Sequence, residues 1–476
     1  MANGGIIGPV NIPTSTTATG VWQQEEQYEA KVTDTWPQRA LFTTKSARFN
    51  SASSDYLNRT PGSASNRRTF TFSSWIKRSA LSNFFSILGG NGGSNGNYLT
   101  WWDDDTLAFT DYNGADFIVR TNAKFRDVSA WYHLVLSVDS TQGTAANRIK
   151  IYVNGVQETS LAQSSYPSQN YDFEINNNVI QYVGHNSYNY MNGYMAETIL
   201  VDGTQLAPTS FGVTNSDGVW TPIPYSGTYG TNGFNLQFEN AAALGTDSSP
   251  NGNTFTVNNL TSIDQSTDYP EVNFATMNSL LLSVASLNFT DGNLTNNGNS
   301  SSTWRTMYST IGASAGKWYF EIRINKTKTS DPNNFIVGIQ DAEQMFQAAD
   351  TAEISSTSRG YGYRGNGGNK VNNTTGSGSS YGNSYGSIGD IVGCAVDLDN
   401  HKIYFSKGGT FQASGDPTTG STGTGSAFDL TTGITYMFGI SSYYDDDRHS
   451  FNFGSPPFAI SSGNADGNGF GNFEYA

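Results

Sequence analysis

The chain has 476 residues, which is too long for one ordinary hydrophobic core and predicts two large domains. It carries 25 Lys and Arg against 40 Asp and Glu, for a formal net charge of −15. A surface of that charge repels phosphate backbones and anionic lipid headgroups, so we expect neither nucleic acid nor a membrane as a partner.

The composition favours short strands joined by turns. Only 36% of residues are hydrophobic but 13% are aromatic, and the 52 glycines supply turn conformations that other residues avoid. The one cysteine, Cys394, lies in the apolar run IVGCAVDL, so we expect a buried free thiol. The amino-terminal sequence lacks the pattern of a secretory leader, and no apolar run is long enough to span a membrane. An extracellular location would then require another route, such as release inside a virion by lysis.

Residues 1–40 differ from the rest and are predicted to form an attachment arm. Their GVWQQEEQYEAKVTDTWP segment is the best helix candidate in the chain. A short helix with one apolar face needs a partner surface, which can be its own domain or another subunit. The assembly residues predicted in this arm are Val21, Trp22, Tyr28, Val32 and Trp36.

The remaining sequence predicts an all-β protein with two antiparallel, jelly-roll-like β-sandwiches. Residues 41–275 alternate apolar and polar positions, and the Asn-Gly turn at 153–155 predicts a hairpin. Residues 276–299 are predicted as a linker, 300–460 as the second sandwich and 461–476 as a tail.

Motif order adds two family resemblances. FTFSSWIKR, WYHLVLSVDS, RIKIYVNGV and YMAETILVDG resemble the strands of a laminin-G-like, concanavalin-A-like sandwich. GKWYFEIRI, FIVGIQD and the hairpin at 389–409, followed by SFNFGSPPF, resemble a SPRY domain. With the arm and the DYPEVNFATMN segment, the whole arrangement is similar to virion proteins of marine bacteriophages. The resemblance implies adhesion or decoration at the virion surface and no defined reaction.

The residues themselves offer little support for catalysis. Hydrolases of the concanavalin-like fold use paired carboxylates in an E-x-D-x-x-E strand, and no Glu here has an Asp two positions later. None of the four histidines stands beside a nucleophile motif, and His133 and His401 are interpreted as structural. The acidic triplets at 103–105 and 445–447 lack calcium-loop spacing and are interpreted as solvated turns. We therefore predict no enzyme, no cofactor and no metal.

Aromatic side chains beside acidic or amide groups are typical of carbohydrate sites, because ring faces stack on sugar C–H surfaces. The tyrosines of the Gly-rich segment 361–387 are expected to be exposed, although most aromatics of the chain must belong to the core. The predicted ligand-binding residues are Trp101, Trp102, Tyr361, Tyr363, Tyr443 and Tyr444.

Two functions remain open from the sequence. The first is a tail fibre or appendage at the virion surface, attached to other virion proteins by the arm and binding host surface glycan through its loops. The second is a capsid decoration or structural appendage protein without a ligand. Either is expected to be a homo-oligomer with closed symmetry, such as a trimer.

Overall fold

In a computed structural model, most of the chain beyond the arm is described. The described residues are 43–91, 96–112, 114–281, 288–298, 302–328, 334–346, 352–444 and 446–475. The predicted arm, with Val21, Trp22, Tyr28, Val32 and Trp36, lies outside the described residues. Helix occurs in the described ranges only as the short 3-10 turns Ala145–Asn147, Pro208–Ser210, Ser262–Asp264, Ser279–Leu281, Gln344–Phe346, Asn366–Gly368, Gln412–Ser414 and Gly420–Thr422. None of these described helices has the length or apolarity to cross a membrane.

The first sandwich is formed by eighteen strands in the described residues. They are β1 (Ser46–Phe49), β2 (Tyr56–Arg59), β3 (Thr69–Arg78), β4 (Phe85–Asn91), β5 (Asn97–Trp101), β6 (Thr106–Asp111), β7 (Ile118–Lys124), β8 (Trp131–Asp139), β9 (Ile149–Val153), β10 (Val156–Gln157), β11 (Leu161–Ser165), β12 (Ile180–Val183), β13 (Gly193–Asp202), β14 (Gly212–Thr214), β15 (Trp220–Pro222), β16 (Phe234–Leu236), β17 (Thr256–Asn258) and β18 (Gln265–Ser266). Sheet 1 has the order β10-β9-β8-β3-β13-β1-β18, with β16 beside β13. Sheet 2 has the order β11-β7-β6-β5-β4-β12-β2-β17, and β14 pairs with β15.

Period-two alternation places one face of each sheet in a shared core. Phe72 on sheet 1 and Phe109 on sheet 2 are among its fully buried residues. The predicted hairpin is confirmed, since β9 and β10 pair antiparallel across Asn154 and Gly155, which have φ of 49° and 81°. Positive φ at both turn residues is what this tight hairpin geometry requires.

The second sandwich follows in the same antiparallel manner. Its strands are β19 (Phe289–Thr290), β20 (Thr295–Asn296), β21 (Arg305–Ala313), β22 (Lys317–Lys326), β23 (Phe335–Asp341), β24 (Gly360–Arg364), β25 (Asn369–Asn372), β26 (Ser379–Ser380), β27 (Ile391–Asp397), β28 (Lys402–Lys407), β29 (Thr410–Phe411), β30 (Phe428–Asp429), β31 (Tyr436–Ser442) and β32 (Arg448–Asn452). Sheet 3 has the order β19-β20-β32-β22-β27-β28-β29, with β30 beside β28, and sheet 4 has the order β21-β31-β23-β24-β25-β26. The β27–β28 pair is the predicted hairpin, and Cys394 on β27 is a buried free thiol as expected.

The segments predicted as linker and tail belong to the second sandwich. Between 276 and 299, β19 and β20 extend sheet 3, and Met277 and Leu294 are buried in its core. In the tail, the backbone N–H groups of Glu474 and Tyr475 donate to the Glu321 carboxylate at 3.0 and 2.6 Å. Both segments are polar in sequence and are held by backbone hydrogen bonds. The alternation of apolar and polar residues therefore did not predict that they belong to the sandwich.

The Gly-rich segment 361–387 is also part of the core, so the expected exposure of its tyrosines is wrong. Tyr361 and Tyr363 lie on β24 and are buried, and Tyr381 and Tyr385 are buried beside them. The Tyr363 ring stacks on Phe405 at 5.4 Å between centroids. Each of these tyrosines has at least one glycine next to it in the sequence, in a segment rich in polar residues, although the large rings fill the interior.

His133 has the structural role predicted for it. Its Nδ1 accepts a hydrogen bond from Trp220 Nε1 at 2.9 Å, and its Nε2 lies 2.8 Å from Ser73 Oγ. The imidazole stacks on Trp75, with 4.7 Å between ring centroids. Complete burial lowers the pKa of His133 to about 3, so the ring stays neutral and fastens the β14–β15 hairpin to the outer face of sheet 1.

A buried ion pair fixes the segment between the two sandwiches. Lys77 Nζ lies 2.7 Å from Asp268 Oδ2, and both side chains are almost fully buried. The same ammonium donates to Asn273 Oδ1 and to the Phe274 carbonyl, each at 2.7 Å. Trp131 Nε1 donates to the other Asp268 oxygen at 3.0 Å. Four hydrogen bonds therefore hold the connecting residues 268–274 against sheet 1.

Direct hydrogen bonds join the two sandwiches next to this segment. Ser266 Oγ lies 2.6 Å from Ser455 Oγ, and Thr267 Oγ1 donates to the Gly454 carbonyl at 2.7 Å. The buried Arg48 donates to the Pro456 carbonyl at 3.3 Å, and the Tyr194 hydroxyl donates to the Gly292 carbonyl at 2.9 Å. We name this set of contacts the junction. These hydrogen bonds hold the sandwiches in one arrangement.

We predict that Lys77→Met destabilises the protein by about 3–5 kcal/mol, because it leaves the Asp268 carboxylate buried without its partner. Urea unfolding followed by tryptophan fluorescence measures the loss. The exposed Lys124 on β7 supplies the control, and Lys124→Met should change stability by less than about 0.5 kcal/mol. Equal stabilities of the two variants would show that the buried pair does not stabilise the folded protein.

Candidate functional site

The outer face of sheet 2 is the strongest candidate surface. Residues paired directly across strands share a face, so the registers define one inward row and one outward row. The inward row is Leu57, Val183, Leu88, Leu99, Phe109 and Val119, and the outward row is Asn58, Tyr182, Gly89, Tyr98 and Thr110. The outward row crosses five adjacent strands of the sheet.

A loop covers the middle of that outward row. At Gly89 a Cβ would lie 2.8 Å from the His185 carbonyl oxygen, so glycine allows residues 184–190 to approach the sheet. The His185 ring stacks on Tyr190 at 4.3 Å between centroids and meets Tyr182 edge-on at 4.8 Å. Tyr56, from β2, lies 4.8 Å from the His185 ring. The loop and the sheet therefore build one continuous aromatic cluster.

Two tyrosines at this surface present their rings to solvent. Tyr188 is 57% exposed and Tyr112 is 38% exposed, and their ring centroids are 5.2 Å apart. A hydrogen bond with Tyr112 raises the pKa of Tyr188. We call this surface the tyrosine face. It consists of Tyr56, Tyr98, Tyr112, Tyr182, Tyr188, Tyr190 and His185.

Amide and hydroxyl groups surround the rings of the tyrosine face. Asn91 Nδ2 donates to Ser187 Oγ at 2.6 Å, and Ser187 Oγ donates to the Tyr182 hydroxyl at 3.3 Å. Burial lowers the pKa of His185, whose Nδ1 lies 3.0 Å from the Asn189 carbonyl. None of the seven residues of the tyrosine face is Lys, Arg, Asp or Glu. Such a surface combines flat apolar rings with neutral hydrogen-bonding groups.

The two tryptophans predicted as ligand-binding residues lie in different environments in the structure. Trp101 points inward from β5 and is completely buried, which excludes it from stacking on a ligand and corrects that prediction. Its indole supports the core instead, with the Arg78 guanidinium 4.7 Å from the ring centre. Trp102 is partly buried, with the Arg120 guanidinium 4.1 Å from its ring. Arg120 pairs with Ala108 on the outer side of sheet 2, so Trp102 lies near the end of the surface that carries the tyrosine face.

The other predicted ligand residues lie in the second sandwich. The burial of Tyr361 and Tyr363 rules out their predicted contact with a ligand, since neither ring reaches the surface. Tyr443 and Tyr444 are partly buried and meet edge-on at 4.8 Å. Trp304 adds a third ring, 5.4 Å from Tyr443. Ligand binding by Trp102, Tyr443 and Tyr444 stays a prediction.

The acidic triplets are not simple solvated turns. Asp105 is buried, and its carboxylate pairs with Arg78 at 3.1 Å and Arg126 at 2.8 Å. Asp447 is also buried, which raises its pKa to about 6. Asp445 lies outside the described residues. Among the residues that the structure describes, no group of three His, Cys, Asp or Glu side chains is arranged to hold a metal ion.

Glu197 has the most unusual environment among the described carboxyl groups of sheet 1. It lies at an irregularity of β13 with φ of 45°, and only 4% of it is exposed. Burial raises its pKa to about 8, a hydrogen bond with Gln237 opposes the shift, and repulsion from Glu239 and Glu271 adds to it. The Oε2 atom is buried without a hydrogen-bond partner. A neutral carboxylic acid can donate a proton, but this one is too buried for a polymeric substrate to reach.

Sequence reasoning missed the tyrosine face because its members come from distant strands. The available signal was the NSYNYMNGYM segment, in which Tyr188 and Tyr190 follow a strand closely. Only the pairing of the strands shows that these residues lie close to Tyr56, Tyr98 and Tyr112. The sequence pattern instead predicts ligand binding at aromatic residues that lie beside acidic runs.

Comparisons with known families agree with both domain resemblances. Residues 51–206 match a laminin G family model described as the concanavalin A-like lectin/glucanases superfamily, and residues 317–425 match the SPRY domain. The whole tyrosine face lies within 51–206. That description covers lectins and glucanases alike, so the match by itself does not separate binding from hydrolysis.

Some solved structures are similar to parts of this chain. The SPRY domain of human HERC1 is 18% identical, with 33% of this chain and 87% of that chain covered and a TM-score of 0.25. Domain 4 of AbnA, a GH43 extracellular arabinanase from Geobacillus stearothermophilus in complex with arabinotriose, is 20% identical, with 32% and 69% covered and a TM-score of 0.26. Likeness at this level carries no inference about ligands. Among curated proteins, none matches the chain significantly.

We predict that Glu197→Gln stabilises the protein above pH 5. The native state keeps Glu197 protonated up to about pH 8, whereas the unfolded chain releases the proton near the ordinary value of 4.5. Between these values the native state binds more protons, so stability from this group falls as pH rises. Urea unfolding from pH 4.5 to 8 should show a weaker pH dependence in the variant. Parallel stability profiles of the two proteins would contradict the account of Glu197.

Proposed function

We propose that the protein is a non-catalytic carbohydrate-binding protein whose first sandwich contacts glycan through the tyrosine face. The observation that carries this proposal is the exposed pair of Tyr112 and Tyr188 above a cluster of tyrosines on one sheet face. Ring faces stack on sugar C–H surfaces, while hydroxyl and amide groups bind sugar hydroxyls. The concanavalin A-like match over residues 51–206 supports the same class of ligand.

An uncharged stretch of polysaccharide suits this surface best. The tyrosine face has no charged side chain, so it offers no strong attraction to carboxylate or sulfate groups. Its rings are spread across several strands, which favours contact with more than one sugar residue. The surrounding net charge of −15 disfavours strongly anionic polymers.

The proposal assigns no hydrolytic step to the first sandwich. Glycoside hydrolysis requires two carboxyl groups on opposite sides of the scissile bond, one protonated and one ionised. Glu197 meets the protonation requirement, but its burial keeps it away from the outer face of sheet 2. Binding at the tyrosine face therefore requires no catalytic carboxylate.

The finer proposal is that the protein is displayed on a bacteriophage virion and binds the host surface. It rests on the sequence resemblance of the arm, the two domains and the DYPEVNFATMN segment to phage virion proteins. In this structure Lys77 donates hydrogen bonds to Asn273 and Phe274 of that segment, which hold it against the first sandwich. The junction beside it would keep both sandwiches in a fixed orientation on a particle. Deletion of residues 1–40 should then release the folded protein from particles, as measured by immunoelectron microscopy. Particles that retain the shortened protein would reject the arm as the anchor.

We predict that Tyr112→Ala and Tyr188→Ala each weaken polysaccharide binding about fivefold to tenfold, because each removes roughly 1 kcal/mol of ring stacking. Affinity electrophoresis in gels that contain host polysaccharide measures the change. Tyr475→Ala is the matched control, since Tyr475 is also 38% exposed and lies in the tail. Equal mobility shifts for the control and the two variants would contradict a site at the tyrosine face, and absence of binding by the unchanged protein would favour a decoration role.

A further inference from the structure

A polar cleft of about 270 Å³ lies beside the junction and is lined by both sandwiches. The first sandwich contributes Lys45 and Gln265, and the second contributes Phe458 and Asn472. The cleft is on a different part of the molecule from the tyrosine face, since none of the seven residues of that face lines it. Its volume is below the usual range for drug-sized ligands and is suited to one small polar molecule.

Several hydrogen-bonding groups in the cleft have no partner in the described part of the chain. The Lys45 ammonium, the Asn472 amide and the Ser262 hydroxyl form no hydrogen bond or close ion pair with another described residue. Lys45 is half-buried, and burial lowers its pKa although the carboxylate of Glu239 opposes the shift. The ammonium has therefore lost part of its hydration without gaining a close counter-charge.

Apolar side chains also line the cleft. Ile263, which is 39% exposed, and the half-buried Ile460 line it together with the buried Pro456 and Phe458. Pro456 is held in place by Arg48, which donates to its carbonyl. A lining that combines apolar side chains with one ammonium and two neutral polar groups is complementary to a sugar ring that bears a carboxylate.

We propose that this cleft is a second binding site, which takes a single sugar residue carrying a carboxylate, such as a uronic acid. Lys45 forms the ion pair with the carboxylate, while Asn472 and Ser262 bind ring hydroxyls. The apolar C–H face of the sugar packs on Ile263 and Ile460. The site is independent of the tyrosine face, and it adds preference for acidic sugar where the tyrosine face prefers neutral polymer.

Saturation-transfer difference NMR of the full chain with methyl galacturonoside, and with methyl galactoside as the neutral match, tests the proposal. We expect saturation transfer to the uronoside, weaker or no transfer to the galactoside, and at least a tenfold loss of uronoside affinity in Lys45→Met. Lys45→Arg keeps the positive charge and should retain binding. Lys124→Met is the control for removal of a lysine elsewhere on the first sandwich.

Three results would overturn the proposal. They are no transfer to the uronoside at millimolar concentration, equal affinity for the two sugars, and unchanged uronoside affinity in Lys45→Met. Thermal unfolding of each variant verifies that it is folded, and Asn472→Ala supplies a second variant if Lys45→Met unfolds. Because Tyr112→Ala/Tyr188→Ala should leave uronoside binding unchanged, failure of this site and failure of the tyrosine face give different results.

Discussion

The buried ion pair between Lys77 and Asp268 is the constraint on which the arrangement of the molecule depends. Both groups have lost their hydration, so they are stable only with each other and with the further hydrogen bonds that Asn273, Phe274 and Trp131 provide. These contacts fix the chain where it leaves the first sandwich. Without them, residues 268–274 would lose these hydrogen bonds to sheet 1, and the hydrogen bonds of the junction would have to hold the two sandwiches together.

The two proposed binding surfaces differ in how much they depend on the arrangement of the two sandwiches. The cleft requires the two sandwiches to keep their relative position, because Gln265 and Ser455, which both line it, belong to different sandwiches. The tyrosine face needs only the first sandwich, since its seven residues come from sheet 2 and two of its loops. The two proposed sites therefore have separate structural requirements. Rigid scaffolds of this kind allow loop and surface residues to bind ligands without a large ordering cost.

Much of the fold could be predicted from local sequence, because strand alternation and turn chemistry are local properties. The Asn154–Gly155 hairpin and the β27–β28 hairpin are examples, and both domain resemblances are supported by the family matches. The burial of Tyr363 could not be predicted in this way, since its sequence neighbours are Gly362 and Arg364 and the ring that stacks on it, Phe405, lies about forty residues further along the chain.

The candidate sites were harder to predict than the fold. Trp101 and Trp102 are adjacent in sequence but point to opposite sides of sheet 2, so only strand register decides which ring is accessible. The tyrosine face requires the pairing of β2, β12, β4 and β5, and the cleft requires residues near both ends of the described chain. Long-range pairing of this type is absent from any local pattern.

The central claim is that glycan lies on the tyrosine face without being cleaved. Nitration of accessible tyrosines, followed by peptide mass spectrometry, measures this directly when it is done with and without saturating host polysaccharide. The account predicts protection of Tyr112 and Tyr188, unchanged nitration of Tyr475, and polysaccharide of unchanged length after incubation. Equal nitration of Tyr112 and Tyr188 in bound and free protein would contradict it.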